Sequence, residues 1–385
     1  MYFDTIIGQQ HLKKHLKETL LKGRIPHAQL FVAPQGAGGL PMAIAYAQQL
    51  LCFKYIEGEL VENLSCTLKF SKLVHPDLHF TFPVTTTENI KKDPISDKFL
   101  AEWRQFVLEN PYRNLFDWLQ YLGVENKQGL IGVAEAENII KKLSLKPYES
   151  NFKVLIIWMA EKMNPSAANK LLKILEEPPK NTVLLLIAEN EELLLKTIVS
   201  RCQVIRFLPL TETDISEALQ SQFKITQQEA SQIAVQAQGS WNNACQLLNQ
   251  DTKDSQFEEW FIRWIRTAFK AKGNKAVIND LIDWSTTIAA SGRETQKQFL
   301  NYCLSFFRQA LLQNYNIEDL VYLEPKTVGF SLKKFAPFVN NANILGITKA
   351  IETSIYHIER NANAKIVLLD LSIKLTRLLH QKVNA

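Results

Sequence analysis

The pattern of apolar and polar positions changes character part-way along the chain. Up to about residue 209, short apolar runs alternate with stretches of helical periodicity, the signature of a parallel sheet covered by helices. The strands this predicts are Gln29–Val32, Leu78–Phe82, Lys153–Met159, Thr182–Ala188 and Gln203–Phe207. Val154-Leu155-Ile156-Ile157 does not alternate with polar residues. Such a run suits a strand buried on both faces. Between the second and third strands lies a long stretch, Thr85 to Tyr148, with Trp103, Phe106, Phe116, Trp118 and Tyr121 at helical spacings. It reads as an insertion of packed helices.

After Leu208-Pro209-Leu210 the strand signals stop. A small helical unit is expected over residues 210–250, starting at Thr213-Asp214, which has the character of a helix cap. From 251 to 385 only Pro325 and Pro337 interrupt the chain, and Trp260, Ile262, Trp264, Ile265 and Phe269 recur at helical spacing. The expected organisation is therefore an α/β domain over 1–209, a helical unit over 210–250 and an all-helical domain over 251–385. A length of 385 residues, too great for one ordinary core, agrees with several domains.

Composition narrows the picture only slightly. Hydrophobic residues make up 46% and charged residues 22%, ordinary values for a globular chain. A net charge of +5 tolerates contact with nucleic acid without demanding it. The opening MYFDTIIGQQ lacks the basic and apolar regions of a secretory signal. No window approaches the roughly 18 apolar residues of a membrane span, so a cytoplasmic location is expected. The five cysteines, Cys52, Cys66, Cys202, Cys245 and Cys303, are odd in number and scattered, which predicts free thiols.

Candidate chemistry begins after the first strand, at Phe31-Val32-Ala33-Pro34-Gln35-Gly36-Ala37-Gly38-Gly39-Leu40. A working phosphate loop reads G-x-x-x-x-G-K-[ST] between a strand and a helix. Its lysine reaches the β- and γ-phosphates and its hydroxyl holds magnesium. Here Gly36 and Gly38 keep the frame. The first glycine has become Ala33, the lysine Gly39 and the hydroxyl residue Leu40. Without the ammonium, a triphosphate loses a charge-assisted partner. Backbone N–H groups could still hold phosphate weakly, but hydrolysis is not expected. By themselves these glycines would more readily make a plain strand-to-helix turn.

The third strand weighs against the plain turn. In nucleotide-hydrolysing sheets it ends in acidic residues that hold the metal and polarise water. Here Trp158 and Met159 occupy those positions, and neither can ligate magnesium or act as a base. Glu161 lies further along and reads as the solvated start of the next connection. Two independent sites have lost the same chemistry together.

The next segment, Asn164-Pro165-Ser166-Ala167-Ala168-Asn169-Lys170-Leu171-Leu172-Lys173-Ile174-Leu175-Glu176-Glu177-Pro178-Pro179, reads as a helix capped by Asn164 and stopped by the prolines. Its wording resembles the clamp-loader branch of the AAA+ proteins. So do Ser200-Arg201-Cys202, the opening Ile6-Ile7-Gly8-Gln9, and Ile25-Pro26-His27-Ala28. With both nucleotide motifs emptied, the chain most resembles the delta-prime group of DNA polymerase III subunits, over about residues 1–250.

That resemblance implies an AAA+ fold with a RecA-like parallel sheet, a helical lid and an all-α collar domain. It places Asn190 at the sensor-1 position and Asn243 where the lid helix would carry a basic phosphate contact. Arg201 falls at the position of an arginine finger aimed at a neighbouring subunit's ATP, flanked by Ser200 and Cys202 as the motif requires. A guanidinium is suited to bridging phosphate oxygens. Lys170 and Lys173 are candidates for DNA phosphate contact, or simply mark a solvated helix face.

Many relatives carry a four-cysteine zinc module after the first helix of this domain. Here only Cys52 and Cys66 lie there, with thirteen residues between them, followed by His75 and His79. That is not a C-x₂-C framework, and no metal is expected. The function implied is a non-catalytic stator of a hetero-pentameric ring of clamp-loader ATPase and delta subunits, acting on a sliding clamp and primed DNA. It would hold no cofactor of its own, the ATP belonging to its neighbours. The competing readings are an active AAA+ ATPase acting on DNA and a DNA-binding scaffold outside any ring.

Overall fold

The computed structural model describes residues 3–56, 59–248, 252–271, 277–317, 320–321, 323 and 325–381. The chain divides into two compact units, Met1–Val124 with Gly129–Leu248, and Glu125–Gln128 with Asn249–Ala385. The domain boundary expected at 250–251 lies outside the described residues. The strands of the first unit are β1 (Ala28–Val32), β2 (Phe53–Ile56), β3 (Glu59–Glu62), β4 (Leu78–Thr81), β5 (Lys153–Trp158), β6 (Thr182–Ala188) and β7 (Gln203–Arg206). Its helices are α1 (Gln10–Leu21), α2 (Gly39–Cys52), α3 (Leu64–Ser71), α4 (Leu100–Glu109), α5 (Leu115–Tyr121), α6 (Val133–Ser144), α7 (Pro165–Glu176), α8 (Lys196–Val199), α9 (Glu212–Phe223), α10 (Gln227–Ala237) and α11 (Trp241–Leu248).

Five strands form one parallel sheet in the order β4-β5-β6-β1-β7. Every residue of β5 and β6 is buried, as uninterrupted apolar runs require when helices cover both faces. One face packs on α2, the other on α6 and α7. This is the α/β architecture expected of an AAA+ chain. Because β1 lies between β6 and β7, the crevice beyond its carboxyl end is where such sheets place ligands.

The excursion after β4 is closed at its base by an antiparallel bridge between Val84 and Leu130. It carries α4 and α5, whose Trp103, Phe106, Trp118 and Leu119 join the same apolar core as α2. α6, also inside the expected 85–148 stretch, instead packs on α7. The hairpin β2–β3 was not legible from the sequence. Helix α7 is capped as expected, the Asn164 side chain accepting the Ala167 N–H at 2.8 Å with Pro165 at the first position. Helix α9 is not: its cap is Thr211, whose hydroxyl accepts the Asp214 N–H, so Thr213 lies inside the helix.

The cysteine expectation needs correction. Cys52 and Cys66 are joined as a disulfide between the end of α2 and α3, while Cys202, Cys245 and Cys303 are free. Residues fourteen apart in sequence are brought together because β2 and β3 turn the chain back on itself.

The second unit is helical: α12 (Thr252–Lys270), α13 (Val277–Ala289), α14 (Arg293–Asn314), α15 (Leu332–Phe335), α16 (Ile344–Glu359) and α17 (Ala364–Leu378). Its core is built around Phe261, Trp264, Trp284 and Phe299. Trp264 stacks on Trp284 with centroids 4.8 Å apart and donates its indole N–H to the Ser372 hydroxyl at 2.9 Å. Buried indole nitrogens ordinarily find such partners.

Candidate functional site

The loop after β1 is positioned by backbone bonds. The Ala33 N–H donates to the Ala188 carbonyl on β6, and the Gln9 side chain donates to the carbonyls of Ala37 and Leu208. Gly36 and Gly38 take φ of +75° and +96°, left-handed values that favour glycine, so the turn between β1 and α2 depends on both. Gly38 caps α2, whose first residues are Gly39, Leu40 and Pro41.

What the turn encloses is small. The cavity bounded by this loop, Trp158, Met159, Ile187 and Glu189 on the sheet side, and Pro111–Asn114 of the excursion holds about 30 Å³. That is space for a water or two. Sites for drug-sized ligands run to roughly 300–1,000 Å³. Leu40, where magnesium would need a hydroxyl, is buried at 4% exposure.

Trp158 and Met159 are buried as well. The Trp158 ring lies 5.1 Å from that of Trp103, on the excursion. The end of β5 therefore packs against α4 of the excursion. Glu161 is half-buried, where a solvated residue was expected. One carboxylate oxygen accepts the Glu189 N–H at 2.9 Å and the other is buried without a partner. Burial pushes its carboxyl above the usual range.

Two residues expected at the site lie elsewhere. Asn190 is exposed and accepts the Glu192 N–H at 2.8 Å, capping a short turn; its neighbour Glu189 is the one that lines the cavity. Asn243 is exposed on α11, while Asn242, one residue earlier, is buried and donates to the Asp117 carboxylate at 2.8 Å. Sequence reasoning missed Asn242 because one step along a helix turns a side chain by about a quarter of the circumference. Only the packing of α11 identifies the inward position.

At the other candidate site, Arg201 follows α8. Its guanidinium donates to the Thr197 carbonyl at 3.0 Å and to Glu176 at 3.2 Å, while its Nε is buried without a partner. Ser200 donates to the Thr197 carbonyl at 3.3 Å. Cys202 is half-buried, and burial pushes its thiol up to about 11, so it is not a nucleophile at neutral pH. Lys170 and Lys173 are exposed on one face of α7, and Lys170 pairs with Glu137.

The zinc module implied by the family does not fit. Cys52, Cys66 and His75 offer ligand atoms within 4.8 Å of one another, but His79 is not among them and the two sulfurs are bonded to each other. The His75 Nδ1 is occupied in accepting the Asp77 N–H at 3.1 Å. Structural zinc takes four donors with thiolates free.

A family model described as DNA polymerase III, delta subunit, matches residues 8–211, more than half of the chain. The Bacillus subtilis DNA polymerase III subunit delta' is 31% identical over 55% of this chain and 51% of its own length. The Haemophilus influenzae delta' subunit is 27% identical over 56% and 52%. The B. subtilis tau subunit is 26% identical over 64% of this chain and 37% of its own length. The chain thus spans about half the length of the delta' relatives it matches. Among solved structures, the Thermotoga maritima RuvB Holliday junction branch migration motor aligns over 85% of this chain and 86% of its own, at 14% identity and a TM-score of 0.39. Among the described residues, no helix is long and apolar enough to cross a membrane. On the match over residues 8–211, the chain belongs to the DNA polymerase III delta-subunit family.

Proposed function

We propose that this chain is a delta-prime-type stator of a bacterial clamp loader, a subunit that does not hydrolyse ATP and completes the ATP site of a neighbour. The observation that carries this reading is the loop cavity of about 30 Å³, lined by Arg113 and Glu189 but with Gly39, Leu40, Trp158 and Met159 at the positions where a phosphate loop would need its ammonium, hydroxyl and metal-binding acids. Electrostatic stabilisation of a transferring phosphoryl group needs those charges in place. The chain holds no nucleotide of its own in this reading. The first unit acts as a rigid wedge and the C-terminal helices join a collar with ATPase and delta subunits. Their assembly loads a sliding clamp on primed DNA.

Arg201 is the catalytic contribution. Its exposed Glu176 partner sits 3.2 Å away, and such surface pairs contribute little, so the guanidinium can exchange it for a phosphate at small cost. Lys170 and Lys173 offer a second, weaker contact to DNA phosphates.

The test is reconstitution with the sister ATPase subunits, the sliding clamp and primed DNA. The purified chain alone should show no ATP turnover. In the complex, Arg201→Ala should melt like the wild type yet lower turnover at least tenfold, arginine fingers contributing about 10³–10⁵ in phosphoryl transfer generally. Turnover by the chain alone, or an unchanged rate with Arg201→Ala, refutes the assignment.

A further inference from the structure

Residues 110–117 of the excursion lie over the loop cavity and reach the small helical unit formed by α9–α11. The buried Tyr112 sits against the loop, where a Cβ placed on Gly38 would come within 3.2 Å of its ring. Its hydroxyl accepts the Ile7 N–H at 2.9 Å. The ring also meets Trp241 edge-on, with centroids 6.4 Å apart. The apolar core of α9–α11, built on Ile215, Leu219, Ala234 and Trp241, takes in Ile7 and Tyr112 from outside those helices.

Asp117, in the first turn of α5, has two tasks. Its carboxylate accepts the Asn114 N–H at 2.9 Å, completing a capping box for its own helix. It also accepts the side-chain amides of Asn242 at 2.8 Å and Gln246 at 3.4 Å, both on α11. Hydrogen bonds to an ionised acceptor are the stronger class, and Asn242 is 2% exposed. The start of α11 resembles in sequence the phosphate-sensing helix of a lid. In a nucleotide-dependent machine, an anion bound between two bodies holds them closed. Here an anion stands at that helix, and it belongs to the chain.

We infer that residues 110–117 are a built-in substitute for nucleotide. Tyr112 fills the space between loop and lid, Asp117 supplies the negative charge, and together they keep α9–α11 seated on the sheet domain without ATP. A tethered group avoids the entropy of capturing a free ligand, so the lid is held whatever the nucleotide concentration. The contact lies within one unit and stands or falls separately from the role of Arg201.

Hydrogen–deuterium exchange on the full-length chain tests it. Asp117→Ala should speed exchange in α10 and α11 at least tenfold while the amides of β5 and β6 stay protected. Asn114→Ala removes the same helix cap but leaves Asp117, and should loosen α5 without loosening α11. Tyr112→Phe, which deletes only the hydroxyl, should expose the Ile7 amide and keeps the test open if larger changes at Tyr112 prevent folding. Mg-ATP at millimolar concentration should not slow lid exchange in the wild type. The inference is overturned if Asp117→Ala leaves α11 exchange unchanged, if Asn114→Ala loosens α11 as much, or if Mg-ATP further protects the wild-type lid.

Discussion

A single carbon added at Gly39 would come within 2.7 Å of the Ala33 Cβ and 3.1 Å of the Ile187 Cγ2. Both neighbours sit in the packed core beneath the loop, so neither yields freely. The position at Gly39 is thus closed to larger side chains. Gly39→Lys should lower stability by about 1–3 kcal/mol, the usual cost of overpacking, and should not restore ATP binding. Adding Ala33→Gly should recover part of the loss by removing the nearer contact. Thermal melts and isothermal titration with Mg-ATP check both; tight ATP binding by Gly39→Lys would show that the loop still has room. That Gly39, Leu40, Trp158 and Met159 stand where a working phosphate site would need a lysine, a hydroxyl and acids was legible residue by residue. What these residues pack against was not, because Trp158 meets Trp103, 55 positions earlier, only after the intervening chain has folded back.

Among the elements, β4 carries an imidazole in a place hostile to its charge. Burial first, and then the ammonium groups of Lys142 and Lys153, hold His79 down to about 4, with Asp77 and Asp97 opposing. An imidazole in the unfolded chain titrates near 6.5. Between about pH 6.5 and 4 the unfolded chain therefore takes up a proton that the folded one refuses. Stability should fall as pH drops through that window, by up to about 1.4 kcal/mol per pH unit from this group. Buried His75, also lowered by burial, acts in the same direction. His79→Gln should flatten the dependence of the urea midpoint on pH between 7 and 4.5. An identical slope would remove His79 as a cause. The strand itself was readable as an apolar run. The hairpin β2–β3 was not, since two four-residue strands between helices leave no sustained alternation. The α9 cap was misplaced by two residues because Thr211 and Thr213 are equally good caps, and only the reciprocal bond with Asp214 singles out Thr211.

At the scale of the molecule, each compact unit buries an apolar core of its own, around the sheet in one and around Trp264 and Trp284 in the other. Separate cores favour separate cooperative transitions. Calorimetry should give either two resolved endotherms or a van't Hoff enthalpy clearly below the calorimetric one. A single transition with equal enthalpies would show that the units unfold as one. The sequence by itself determined the alternation of strands and helices, the change to all-helical chain and the residue types present in the loop after β1 and at the end of β5. These are properties of residue type and local period. Only the tertiary structure decided the strand order, the Cys52–Cys66 bond, the inward turn of Asn242 and the seating of Tyr112 and Asp117 against the lid. Those depend on which distant side chains share a buried volume, and no local pattern encodes that.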